Sequence, residues 1–181
     1  MKINNVNLDE IQKFIAEAKN NPQAFVRKKR VTGDWNFVEG QAQFKSEIQF
    51  PHGTIVLEAD QTDFMGGTGI KPDPIQYCLM GTCACFAGTY ATIAASENVV
   101  LTRLRVSAEN EIDLSKAMGI TNNPIVRKVQ ITVEVESSAD ENKLKEIEKL
   151  AMERCPGIYC LSNPIPVISE LIVTVGGKPA Q

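Results

Sequence analysis

The sequence predicts one α+β domain, an antiparallel sheet with a long buried central helix, and three observations predict it. The first is a run from Pro74 to Ser96 without a single charged residue. The second is apolar/polar alternation on both sides of that run, within Ala42–Ala59 and again within Thr102–Glu136. The third is a shorter amphipathic stretch from Ser138 to Cys155. A chain of 181 residues buries one good core and demands no second domain, so residues 1–181 read as one domain, with 1–22 as an N-terminal helical extension.

In chain order, Asn7-Leu8-Asp9-Glu10 opens a helix to about Lys19, with Ile11, Phe14, Ile15 and Ala18 on one side as a lid over the core. Arg27, Lys28, Lys29 and Arg30 follow as the solvated edge of a strand. Phe44, Ile48 and Phe50 alternate with Lys45, Glu47 and Gln49 in a half-buried strand; Pro51-His52-Gly53 turns the chain, and Ile55, Leu57 and Ala59 return it. His52, the only histidine, is an exposed turn residue on this reading, which leaves no serine–histidine hydrolase chemistry. Gly66-Gly67-Thr68-Gly69 fits neither a phosphate loop nor a dinucleotide fingerprint and reads as a flexible entry to the helix.

Asp73-Pro74 is the start of the long helix. The carboxylate accepts from free N–H groups of the first turn, and proline at the first position forfeits no hydrogen bond. A helix uncharged all round is buried, and Gln76, Thr82, Thr89, Thr92 and Ser96 argue for a globule rather than lipid. Gly81, Ala84, Gly88 and Ala91 form a narrow stripe where another backbone can approach. Strands follow at Thr102–Ala108 and Lys128–Glu136, separated by a loop at Asn110–Asn123. Ser138-Ala139-Asp140-Glu141 has capping-box spacing for a second helix, with Leu144, Ile147, Leu150 and Ala151 inward and Pro156 as its stop. Val167, Ser169, Leu171, Val173 and Val175 supply a last strand, and the tail GGKPAQ frays.

A net charge of −3 with scattered basic residues gives no nucleic-acid or polybasic membrane footprint. The start MKINNVNLDE lacks the apolar core of a secretory signal, so the expected location is the cytoplasm. Five cysteines, an odd number, are then reduced thiols, and any disulfide among them is transient and catalytic rather than structural. Taken singly, each cysteine is small core filler. Cys78 and Cys85 share one helix face, Cys83 points away, and Cys155 returns to the buried face of the second helix. Cys78 and Cys85 are separated by about 10.5 Å of helical rise, too far for a direct bond. The spacings of Cys78, Cys83, Cys85, Cys155 and Cys160 match no common zinc site, and no metal or bound cofactor is expected.

GTCACFAG, preceded by a Gly-Gly loop and by Asp-Pro at the head of a long helix, resembles the OsmC/Ohr family of osmotically induced and organic hydroperoxide resistance proteins. So does ERCPGIYCL at the end of the second helix, and the resemblance runs from about Arg30 to Val175. It implies an α+β fold forming an intertwined homodimer. It also implies thiol-dependent reduction of organic hydroperoxides, with Cys85 attacking, Cys155 resolving and an external dithiol restoring both thiols. Where the family's peroxidatic members carry a glutamate, ten residues before the attacking cysteine, this chain has Ile75, and the matching arginine is absent around Trp35–Gly40. The alternative is a non-catalytic dimer of the same fold that binds a small hydrophobic or sulfur-containing ligand.

Overall fold

The computed structural model describes residues 1–173 and has a mixed α+β architecture with small antiparallel sheets. At the N-terminus β1 (Lys2–Ile3) and β2 (Val6–Asn7) form a tiny hairpin. Its turn places Asn4 and Asn5 at φ of 54° and 61°, the left-handed pair that a tight hairpin needs and that asparagine tolerates. The Asn4 side chain then donates to Val99 O and accepts from Leu101 N, which pins the terminus to the middle of the chain. Helix α1 (Leu8–Asn20) follows close to the expected bounds.

β3 (Gly33–Trp35), β4 (Phe44–Phe50) and β5 (Gly53–Ala59) form a three-stranded meander in the order β3-β4-β5. His52 is exposed in the turn between β4 and β5. The basic run Arg27–Arg30 lies in exposed coil before β3 rather than on a strand edge.

The loop before the long helix is built rather than loose. Asp60, only 1% exposed, accepts through Oδ2 from Thr68 N, Thr68 Oγ1 and Ile70 N. Those bonds, the Thr68 hydroxyl's first, hold its carboxyl below the ordinary value. Only glycine fits at 67, where a Cβ would fall 1.9 Å from Gln61 O.

α2 (Pro74–Ser96) begins as the sequence predicts: Asp73 Oδ1 accepts from Ile75 N, and Gln76 Oε1 accepts from Asp73 N. It ends at Asn98, φ 58°, with Val99 N donating to Ala94 O and Asn98 N to Ala95 O, a Schellman closure. By length and apolar composition α2 would pass as a membrane span. Its second half is instead core, with Phe86, Tyr90, Ile93, Ala94 and Ala95 buried. The first half is not: Ile75 and Met80 are exposed, so the expectation of a helix buried along its length is corrected. The reason is placement. The elements that pack most on α2 are β6 (Leu101–Ile112), α3 (Glu141–Arg154) and α4 (Pro156–Ser162), and the core they make with it gathers around Phe86 to Ala94.

β6 pairs with β7 (Val126–Ser137) in a long antiparallel ribbon that ends in the loop 113–125. Among the described residues three separate sheets therefore replace the one sheet expected from alternation. Alternation reports one wet and one dry face, but not which strands pair. Helix α3 starts two residues later than the Ser138 capping box proposed: Asp140 is the cap, accepting from Lys143 N. The last expected strand does not form at 167–173, where Val167, Ile168, Leu171 and Ile172 are more than four-fifths exposed. Val175 and the tail lie outside the described residues.

Candidate functional site

Pro156 builds the site. Its ring disfavours helical backbone at the preceding residue, so α3 stops at Arg154 and Cys155 takes φ −76°, ψ 119°. The same proline then serves as the first residue of α4. Pro156 thus ends one helix and starts the next, and Cys155 becomes the corner between them. The corner is fully buried within the cluster of Phe86, Tyr90, Ile147, Ala151 and Ile158.

From that corner the thiol of Cys155 meets α2. Its S–H donates to Cys85 Sγ at 3.5 Å, and both are free thiols. A disulfide requires about 2.05 Å between sulfurs, so closure needs a shift of about 1.5 Å. Residues 70 positions apart are brought together by one buried helix face and one proline. Cys78 and Cys160 are exposed and Cys83 is half-buried, so the five thiols are unequal in access. Among the described residues no cluster of three or more His, Cys, Asp or Glu side chains is placed to hold a metal ion.

Cys85 is partly exposed, and it opens onto a cleft of about 620 Å³ between α1, α2 and the end of α3. Ile11 and Ile15 form its far wall, Ala84, Gly88, Thr89 and Thr92 its floor, and Arg154 stands at its edge. α1 thus faces Cys85 across this cleft. Burial pushes the Cys85 thiol above its ordinary value, the Gly157 N–H pulls it down, and Cys155 and Cys160 push it up again. Cys85 lies about three turns into α2, beyond the reach of that helix's N-terminal field.

Gly157 is the residue that sequence reasoning passed over. Its signal was weak: a glycine just inside a helix start, next to a Cys-Pro pair.

The geometry can be set beside known proteins. The family description of OsmC-like proteins matches residues 67–170, which include the whole of α2, the β6–β7 ribbon, α3 and α4. The chain belongs to the OsmC family. No curated protein matches it. Among solved structures, an OsmC-like protein from Mycoplasma pneumoniae is 19% identical over 75% of this chain and 87% of its own, with a TM-score of 0.54. An organic hydroperoxide resistance protein OsmC from Legionella pneumophila is 16% identical over 76% of this chain and 92% of its own, with a TM-score of 0.53. An OsmC-like protein of unknown function from Vibrio cholerae is 16% identical over 76% and 95%, with a TM-score of 0.56. At these identities the likeness is one of fold.

Proposed function

We propose that this OsmC-family chain is a thiol-dependent reductase of organic hydroperoxides that works through Cys85 and Cys155. The observation that carries the reading is the 3.5 Å approach of a partly exposed sulfur to a fully buried one. The Cys85 thiolate attacks a peroxide oxygen, the O–O bond breaks, and the alkoxide leaves and takes a proton to become an alcohol. Cys85 is left as a sulfenic acid. The Cys155 thiol then displaces its oxygen as water, forming the disulfide, and an external dithiol reduces that bond with two electrons. The apolar wall of Ile11 and Ile15 suits an organic rather than an inorganic peroxide.

The reading includes a cytoplasmic homodimer. Two features support the dimer. A Cβ added at Gly81 or Gly88 would meet no atom within 4 Å, so the stripe is open to a neighbour. The exposed apolar residues of 167–173 equally lack cover from the described residues.

One equivalent of cumene hydroperoxide should remove two thiols per chain and leave a Cys85–Cys155 disulfide, read by peptide mass spectrometry. Cys85→Ser should abolish consumption, and Cys155→Ser should stop at a sulfenic acid trapped by dimedone. Retention of all five thiols would overturn the reading. The alternative, a ligand-binding dimer without turnover, is favoured by Ile75 at the glutamate position and by the raised Cys85 thiol. It predicts intact thiols together with a small molecule that co-purifies and is visible by native mass spectrometry.

A further inference from the structure

The thiol pair contains a third participant that has no side chain. An ideal Cβ built on Gly157 would lie 3.3 Å from Cys85 Cβ, 3.4 Å from Cys85 Sγ and 3.7 Å from Cys155 Sγ. A side chain at 157 would therefore press on Cys85 and stand in van der Waals contact with Cys155 Sγ. Its N–H is also free. Gly157 is the second residue of α4, so its N–H has no partner inside the helix, and the Cys155 side chain makes no cap bond to take it up. That N–H is turned instead to Cys85.

We propose that Gly157 is a functional position of this site: its main-chain N–H holds the Cys85 thiolate, and its missing Cβ leaves the two sulfurs room to close. The inference rests on reading Cys85 and Cys155 as a redox pair, and it answers the problem that Ile75 creates. A buried thiolate needs a donor or a cation. The other titratable groups around Cys85 are Cys155 and Cys160, which oppose its ionisation, with Arg154 and Glu97 on the walls of the cleft. The N–H is the group that favours it. The effect is that of one hydrogen bond at contact range; α4 is too short for its dipole to matter. The role of Gly157 is positioning for disulfide closure and direct contact for the thiolate.

Cys155 is a natural ligation junction, so the two parts can be separated. A synthetic 155–181 peptide with an ester in place of the Pro156–Gly157 amide, ligated to residues 1–154, removes the N–H and adds no bulk. The readout is the pH midpoint of iodoacetamide alkylation at Cys85, resolved by peptide mass spectrometry, with the all-amide ligation product as reference. The ester should raise the midpoint by about one pH unit, a roughly tenfold loss of reactivity at fixed pH below it. Gly157→Ala keeps the N–H, so its midpoint should stay near wild type while diamide-driven Cys85–Cys155 closure slows several-fold. Equal midpoints for ester and amide would overturn the thiolate role, and unslowed closure in Gly157→Ala would overturn the steric one. Neither readout uses peroxide. A midpoint that shifts in a protein that never consumes peroxide therefore refutes the proposed activity while leaving this inference standing.

Discussion

The two halves of the chain are finished to different degrees. Around the second half of α2, the β6–β7 ribbon, α3 and α4 close a core in which Phe86, Ala94, Ile147, Ala151 and Cys155 have no exposure. The β3–β5 meander has the same alternation and comparable apolar residues. Yet Trp35, Phe50, Ile55 and Val56 are about half exposed, and only small side chains such as Ala42, Ser46 and Ala59 are buried. The difference teaches that the thiol pair is set in the part of the chain whose core is already closed. The meander, the first half of α2 and 167–173 are apolar surface awaiting cover. The dimer proposed above would supply it.

The largest effect expected from this contrast is a pair of phenylalanine truncations. Phe86→Ala removes a side chain with no exposure from the centre of the core and should cost about 3–5 kcal/mol. That is on the order of 10 °C in melting temperature for a chain of this size. Phe50→Ala in the meander, 49% exposed, should cost the isolated chain about 1 kcal/mol or less. Its larger effect should be on self-association, weakened about tenfold. Urea titrations at two protein concentrations, with sedimentation equilibrium, separate the terms. Equal and concentration-independent losses from the two substitutions would erase the distinction between the halves.

What could be read from sequence divides along the same line. The start of α2 was legible because its causes are local: Asp73 and Pro74 each act within one turn. The buried placement of Cys155 was legible because helical periodicity carries it eleven residues from Leu144 to the inner face. The sheets were legible as strands but not as partners, since pairing is decided by segments far apart. Pro156 was read as a stop and is also a start, a double role that needs the next helix to have somewhere to pack. Val167–Val173 has a strand's composition but finds no strand to pair with among the described residues. Gly157 was illegible because its importance lies in what touches it, and Cys85 is 72 positions away in sequence.

A smaller effect sharpens the account of the core from within. The Tyr90 hydroxyl donates to Leu144 O at 3.1 Å, tying α2 to α3 beside the cysteines. Tyr90→Phe should cost about 1 kcal/mol at neutral pH. Burial, then Glu148, raises the Tyr90 phenol above its ordinary value of 10.0. A raised folded value means that the unfolded chain loses its proton first as pH rises. The contribution is thus complete below pH 10 and is lost as pH climbs through the folded value. Wild type should therefore destabilise more steeply than Tyr90→Phe in denaturant titrations above that pH. Parallel curves would mean that Tyr90 is not held protonated by this core.

The smallest effect lies at the far end of the β6–β7 ribbon and tests whether the ordered half has a local weak point. Asp113 anchors the loop 113–125: Oδ1 accepts from Ser115 N at 3.0 Å, and Oδ2 from Asn123 Nδ2 at 3.1 Å and Arg127 Nη2 at 2.8 Å. Ser115 first, then Asn123 and Arg127, hold its carboxyl well below the ordinary 3.8. For a lowered folded value the unfolded chain takes up the proton first. The stabilising contribution is therefore present above about pH 4 and is lost as pH falls toward the folded value. Amide exchange in 113–125 should accelerate between about pH 4 and pH 2 beyond the intrinsic pH trend, while the Phe86–Ala94 amides remain protected. Asp113→Asn should remove that excess acceleration and leave the core rates unchanged. If the loop and the core opened together on acidification, the ribbon would be one cooperative unit to its tip and Asp113 would not be a separate clasp.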